Sequence, residues 1–239
     1  MSEYKSDARM YRLAAEDLME NPGSRLPLVI CVECSYSMRP WLERVSRELE
    51  QFRASIEADP ESRSAVELCL ISCGGTRARV EQGFSLVGNC RIPAFVGEGG
   101  VPLADGAVLA LKMLESRRSN FSSGGVGNRA PVILFVGGAG HTGSLGETGR
   151  QFQKEVKDQD ITVLCLGVGA REKVRRSALG ELAPDGKVYF MDEMKLGNFL
   201  KDVSQAIQHS YESILRGMEV FAQVESWEDV MHADGTNAN

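Results

Sequence analysis

Long apolar runs are missing from this sequence, and this absence limits where the protein works. No stretch approaches the roughly 20 apolar residues that a membrane-spanning helix needs. The N-terminal stretch MSEYKSDARMYRLAAEDLMEN lacks the apolar core of a signal peptide. We therefore expect a cytoplasmic protein that does not insert into a membrane.

The cysteines do not form the pattern of a zinc site. Of the six cysteines, only Cys31 and Cys34 are spaced as Cys-x-x-Cys, and no second pair of this kind exists. Most of the others lie inside strand-like apolar runs, where cysteine acts as a small buried side chain. We expect free, buried thiols.

Sequence motifs of catalytic sites are scarce as well. The three histidines, His141, His209 and His232, are scattered, and the sequence has no G-x-S-x-G nucleophile motif. GAGHTG at 138–143 matches the G-x-G-x-x-G fingerprint of dinucleotide sites, but the next strand, ITVLCL, ends without the acid that such a site requires. We expect no enzyme, and a nucleotide-binding enzyme is the least favoured alternative.

The charge of the chain argues against a nucleic acid or an anionic membrane as partner. The net charge is −6 and the isoelectric point is about 5.3. An acidic protein is repelled by both surfaces unless it carries a local basic patch. The charge therefore disfavours these two classes of partner.

Apolar runs alternate with amphipathic segments from residue 26 onward, which is typical of an α/β fold. The predicted strands are at 26–32, 65–72, 78–87, 130–138, 161–169 and 187–194. The predicted helices are at 40–59, 105–121, 147–160, 171–183 and 196–217. We expect a doubly wound, mostly parallel sheet with one antiparallel edge strand and helices on both faces.

The chain divides into three parts by composition. Residues 1–24 are polar and are interpreted as an N-terminal extension with a short helix. Residues 25–217 form the predicted α/β domain. Residues 218–239 are predicted to be an acidic and mobile C-terminal tail.

Three loops follow the carboxyl ends of predicted strands, where parallel sheets bind ligands. They contain ECSYSM, GEGGVPLADG and GGAGHTG. Together with the adjoining LPLVICV and APVILFVGG and with the closing KVYFMDEMKLGNFLKDVSQAIQHS, they resemble von Willebrand factor A (vWA) domains. Within that group the sequence is similar to the bacterial TerY-type proteins of tellurite-resistance clusters. The resemblance implies a Rossmann-like fold over residues 26–215.

The resemblance also implies the position of a metal site. Many vWA domains bind Mg²⁺ or Mn²⁺ through Asp-x-Ser-x-Ser on the first loop, Thr on the second and Asp on the third. Here Glu33 replaces the first Asp, Ser35 and Ser37 are retained, Val101 replaces Thr and Gly137 replaces the last Asp. Two oxygen ligands of a hard cation are therefore lost. We expect a degenerate site without a cofactor, whose five positions form a partner-binding rim; weak Mg²⁺ or Mn²⁺ binding is the alternative.

A local role for the two serines is also open, because their hydroxyls can cap backbone donors where the turn enters the next helix. The resemblance implies a PP2C-like phosphatase or a kinase-like protein as partner, in a bacterial stress or conflict system. The favoured function is a non-catalytic protein-interaction module. The alternatives are a weak metal-dependent adhesion-type binder and an enzyme that binds a nucleotide at GAGHTG.

Overall fold

The computed structural model of the protein describes residues 24–138, 145–169, 173–174, 177–186 and 188–191. The predicted N-terminal extension, the predicted last helix and the C-terminal tail lie outside these residues, and so do His141, His209 and His232. The three-part division of the chain therefore stays a prediction.

Six strands form one sheet within the described residues, in the order β3-β2-β1-β4-β5-β6. The strands are β1 (Leu26–Glu33), β2 (Val66–Gly74), β3 (Arg77–Leu86), β4 (Val132–Gly137), β5 (Thr162–Val168) and β6 (Tyr189–Met191). All neighbouring strands are parallel except β2 and β3. Every residue of β1 and β2 is buried, as in central strands that are covered on both faces. The predicted mostly parallel sheet is confirmed.

The antiparallel strand β3 forms one edge of the sheet. Arg77, Arg79 and Glu81 alternate with Ala78 and Val80, and the charged side chains are the exposed ones. The two apolar side chains pack against the core. Exposed charges on an edge strand oppose pairing with another chain.

Five α-helices lie wholly within the described residues. They are α1 (Arg39–Ala58), α2 (Pro60–Ala65), α3 (Leu103–Ser123), α4 (Gly146–Asp158) and α5 (Ala178–Leu182). Helix α1 buries a stripe at helical spacing, formed by Leu42, Val45, Leu49, Phe52 and Ile56. None of the helices in these ranges is both long enough and apolar enough to cross a membrane.

The prediction of a continuous helix at 171–183 is wrong at Ser177. The backbone of Ser177 is extended, with φ −88° and ψ 172°, and its hydroxyl accepts a hydrogen bond from the backbone N of Leu179 at 3.3 Å. This is the geometry of an N-cap, so α5 begins only at Ala178.

Helices cover both faces of the sheet, which confirms the predicted double winding. Leu28 and Ile30 of β1 pack into a cluster with the buried stripe of α1. Val29 and Cys31 point to the opposite face and pack into a second cluster with residues of α3, α4 and α5. Alternate residues of one strand therefore contribute to two separate cores.

A buried ion pair fixes α3 near the amino end of β2. Arg117 donates hydrogen bonds to both carboxylate oxygens of Glu67, at 2.5 and 2.6 Å, and Arg25 Nη1 lies 3.7 Å from the same carboxylate. All three side chains are buried. Since this pair anchors the far part of α3, the opposite end of the helix meets the loops at the carboxyl end of the sheet.

Candidate functional site

Glu33 is the last residue of β1, and both of its carboxylate oxygens are used inside the protein. Its Oε1 accepts a hydrogen bond from Ser35 Oγ at 2.6 Å, and its Oε2 accepts one from the backbone N of Gly138 at 2.8 Å. The residue is 1% exposed. Glu33 therefore joins the first loop to the loop that follows β4.

The two serines continue this network outward. Ser35 Oγ lies 2.7 Å from Ser37 Oγ, and Ser37 is exposed. A hydroxyl carries one hydrogen, and Ser35 gives its hydrogen to Glu33, so Ser37 is the donor to Ser35. Ser37 therefore presents an oxygen that can only accept a hydrogen bond from outside.

The interpretation of these serines as helix caps is wrong. Ser35 precedes a short 3₁₀ turn, Tyr36–Met38, and makes no side-chain capping bond to it. Met38 occupies the N-cap position of α1, which also has no side-chain cap. The Ser35 hydroxyl donates to Glu33 instead, because a buried carboxylate requires hydrogen-bond donors, and the Ser37 hydroxyl bonds to Ser35.

Gly137, at the end of β4, leaves the space that the carboxylate of Glu33 fills. A Cβ atom at Gly137 would lie 2.8 Å from Glu33 Oε2 and 3.2 Å from Glu33 Cβ. No larger side chain fits there while Glu33 keeps its position. Glutamate at position 33 and glycine at position 137 therefore fit each other sterically.

The residues at this end of the sheet do not fit a resident Mg²⁺ ion. Mg²⁺ needs several free oxygen ligands. The site offers the carboxylate of Glu33, and both of its oxygens already accept hydrogen bonds within the protein. Val101 is half-buried and packs against the core cluster on the α3 side of the sheet. Within the ranges that the structure describes, no group of three or more His, Cys, Asp or Glu side chains could hold a metal.

The second loop, residues 90–102, is joined to the first by backbone hydrogen bonds. The N–H of Glu98 donates to the carbonyl of Cys34 at 2.7 Å, and the N–H of Gly75 donates to the carbonyl of Glu98 at 2.9 Å. These bonds continue strand-like pairing past the carboxyl ends of β1 and β2. The loop is thereby held in one position relative to the sheet.

Arg39, the first residue of α1, crosses the junction between these loops. Its Nε donates to the carbonyl of Gly97 at 3.0 Å, and its guanidinium carbon lies 4.3 Å above the centre of the Tyr36 ring. A Cβ atom at Gly97 would lie only 2.4 Å from Arg39 Cγ and 2.8 Å from the carbonyl oxygen of Ser35. Glycine is required here for the loops to approach each other.

Large exposed apolar side chains concentrate at this junction. Among the described residues, three large hydrophobic side chains are exposed, and two of them are Tyr36 (59%) and Val96 (64%). We call the exposed residues Tyr36, Ser37, Arg39 and Val96 the rim patch. Of these four residues, only Ser37 was predicted from the sequence. The only sequence signal for Tyr36 and Val96 was an apolar residue placed among turn residues, in SYSM and AFVGEGG.

The five positions predicted as the partner-binding rim differ in their exposure in the structure. Glu33, Ser35 and Gly137 are brought together by direct contacts, but they are buried. Ser37 joins them and is exposed. Val101 lies on the second loop with its side chain against the core.

The fold of this chain is similar to that of several solved structures. The open conformation of the pilus adhesin SpaC from Lactobacillus rhamnosus GG superposes with a TM-score of 0.59 at 16% identity, over 77% of this chain and 30% of that chain. The human COPII-coat protein Sec24c superposes with a TM-score of 0.54 at 10% identity, over 78% of this chain and 32% of that chain. With the strand order and the antiparallel edge pair, these likenesses confirm the predicted fold.

The chain has a vWA-like fold. It spans about a third of the length of SpaC and of Sec24c, and at such identities the likeness concerns the fold alone. The VWA domain of SpRpn10 is also similar, with a TM-score of 0.49 at 12% identity over 78% of this chain and 98% of that chain. No protein-family model and no curated protein sequence matches the chain.

The cysteines of this vWA-like domain are all free and buried, as predicted. Burial raises the pKa of the Cys34 thiol to about 12 and that of the Cys90 thiol to about 11. Burial also raises the pKa of Cys31, Cys69 and Cys165. These five thiols are protonated near neutral pH and are therefore poor nucleophiles.

The GAGHTG stretch is described only at its first residue, Gly138. Its N–H donates to Glu33, and a Cβ atom at Gly138 would lie 3.0 Å from Met38 Sδ. This backbone donor is thus already bound to a carboxylate of the protein. The rest of the stretch lies outside the described residues.

Proposed function

We propose that this vWA-like domain is a non-catalytic protein-interaction module that binds its partner through the rim patch. One observation carries the proposal: the carboxylate of Glu33 is hydrogen-bonded inside the protein at both oxygens, while Tyr36 on the first loop and Val96 on the second are exposed. Exposed apolar and aromatic side chains on rigid loops are typical of protein interfaces. Protein binding is also a common role of vWA-like domains.

We further propose a cytoplasmic role in a bacterial stress or conflict system of the TerY type. This finer proposal is supported by the resemblance of the three loops and of the segment that begins KVYFMDEM. It names a PP2C-like phosphatase or a kinase-like protein as the partner class. Nucleic acid and membrane are not proposed as partners, since the net charge is −6.

Site-specific photo-crosslinking in the native cell tests the proposed surface. A photo-reactive amino acid at Val96 is expected to crosslink to a protein partner that mass spectrometry identifies. The matched control is the same amino acid at Ser123, which is exposed at the other end of α3. Equal labelling from both positions, or none from Val96, would contradict the rim patch as binding surface. A partner that is neither phosphatase nor kinase would contradict only the finer proposal.

Thermal unfolding separates this function from a metal-dependent binder. An ion that binds only the folded state raises the melting temperature. Because the carboxylate of Glu33 is already hydrogen-bonded at both oxygens, we expect equal melting temperatures in chelator and in excess Mg²⁺ or Mn²⁺. A clear rise that is lost in Glu33→Gln would support the metal-dependent alternative.

A further inference from the structure

Arg39 is held in place by contacts that leave its charge available. The carbonyl of Gly97 fixes Nε, and the Tyr36 ring supports the guanidinium face. Neither terminal nitrogen forms a hydrogen bond or ion pair among the residues that the structure describes. The residue as a whole is exposed to solvent.

Several other arginines of the domain are paired with carboxylates. Arg53 binds Glu50 and Glu57, and Arg117 binds Glu67. Glu98, an acid of the second loop, is paired with Arg79. It is therefore not available to pair with Arg39. The rim patch therefore carries an unneutralised positive charge on a protein whose net charge is −6.

The geometry suits one kind of partner group. A guanidinium presents parallel N–H donors that bind a carboxylate through two hydrogen bonds, which an ammonium group cannot reproduce. Because Arg39 is already immobilised, binding costs less side-chain entropy than it would for a free arginine. Val96 and Tyr36 provide apolar area beside the charge, which excludes water from such a pair.

We propose that Arg39 binds an Asp or Glu side chain of the partner protein, next to an apolar partner residue that packs on Val96 and Tyr36. This inference rests on the proposed function of the rim patch. It gives the patch a specific chemistry: an acidic residue of the partner is recognised by an arginine.

Selection from a phage-displayed random peptide library tests this chemistry with a defined probe. The full chain is immobilised, and binders that are lost on the Val96→Arg variant are retained as rim-dependent. We expect these peptides to be enriched in Asp or Glu next to an apolar residue. Changing that acid to its amide is expected to weaken binding at least about tenfold, and Arg39→Gln on the domain by a similar factor.

The controls separate charge, geometry and folding. Arg39→Lys keeps the charge without the planar group and should restore only part of the affinity. Arg63→Gln is the matched control, because Arg63 is an exposed arginine on α2, at the amino end of the sheet. The acid-to-amide change is made in the peptide, so its result does not depend on the stability of an Arg39 variant.

The outcomes distinguish the two proposals. If rim-dependent peptides lack acids, or bind Arg39→Gln as well as Arg63→Gln, the acid recognition is overturned while the binding surface stands. If no selected peptide is sensitive to Val96→Arg, the surface and the acid recognition are both overturned. Loss of affinity with both Arg39→Gln and the amide peptide, and not with Arg63→Gln, supports the inference.

Discussion

At the scale of single residues, the end of β1 shows how one methylene group changes the role of an acid. The carboxylate of Glu33 reaches the N–H of Gly138 because Gly137 has no side chain in its path. An Asp at position 33 would be shorter by that methylene group. The backbone donor of Gly138 would then lose its partner.

Glu33→Asp is therefore expected to lower the free energy of unfolding by about 1–3 kcal/mol, the cost of an unsatisfied buried donor. Chemical denaturation of the variant and of the wild-type protein measures this difference. Glu147→Asp is the matched control, since Glu147 is 79% exposed and is paired with Arg150 on the same helix. Equal stability of the two variants would show that the Gly138 contact contributes little.

Sequence reasoning located this site but not its geometry. Glu33, Ser35, Ser37 and Gly137 were singled out because they stand at the ligand positions of a resembling family. The direction of the Glu33 carboxylate could not be predicted, since it depends on space left by a glycine 104 residues away along the chain. The exposure of Tyr36 and Val96 depends likewise on how two loops pack.

At the scale of secondary-structure elements, the first turn of α3 lies very close to β2. A Cβ atom at Gly106 would lie 2.3 Å from the sulfur of Cys73. Cys31 Sγ is 4.0 Å from the carbonyl oxygen of the same glycine. The helix can approach the sheet this closely only where its residue lacks a side chain.

Gly106→Ala should therefore destabilise the protein by about 1–3 kcal/mol, although alanine favours helix formation over glycine. The added methyl group overlaps the Cys73 sulfur. Adding Cys73→Ala removes that sulfur, and we expect the double variant to be more stable than Gly106→Ala alone. A double-mutant cycle by chemical denaturation measures the coupling. Additive effects of the two substitutions would contradict a direct steric contact.

The elements themselves were largely predictable from the sequence. The central strands are continuous apolar runs because helices cover both faces of the sheet, and β3 alternates because it is an exposed edge. The predicted helix at 171–183 was wrong because apolar spacing does not show whether Ser177 continues a helix or caps one. The hydrogen bond from the Leu179 N–H to the Ser177 hydroxyl shows that Ser177 is an N-cap.

At the scale of the whole molecule, the buried thiols link stability to alkaline pH. A buried Cys90 keeps its proton until about pH 11, whereas an unfolded thiol loses it near its ordinary pKa of 9.0. Between these values the unfolded state binds fewer protons, so stability falls as the pH rises. Cys34, with a pKa of about 12, acts in the same direction over a wider range.

We expect the contribution of the thiols to the free energy of unfolding to be constant below about pH 9. Above that pH, their contribution should decrease as the pH rises. Urea denaturation at several pH values measures the slope. Lysines and tyrosines also titrate in this range, so Cys90→Ala serves as the comparison and should show a shallower decrease. The same slope in both proteins would mean that Cys90 does not contribute.

The strand order has a consequence for the protein during its synthesis on the ribosome. Leu28 of the central strand pairs with Leu68 on one side and with Val132, 104 residues later, on the other. At elongation rates of about 5–20 residues per second, the second partner is made roughly 5 to 20 seconds after the first strand. For that interval the nascent chain carries a mostly apolar strand of eight residues with one open edge. The completed domain buries this strand, whereas the growing chain exposes it to the chaperones that bind such segments.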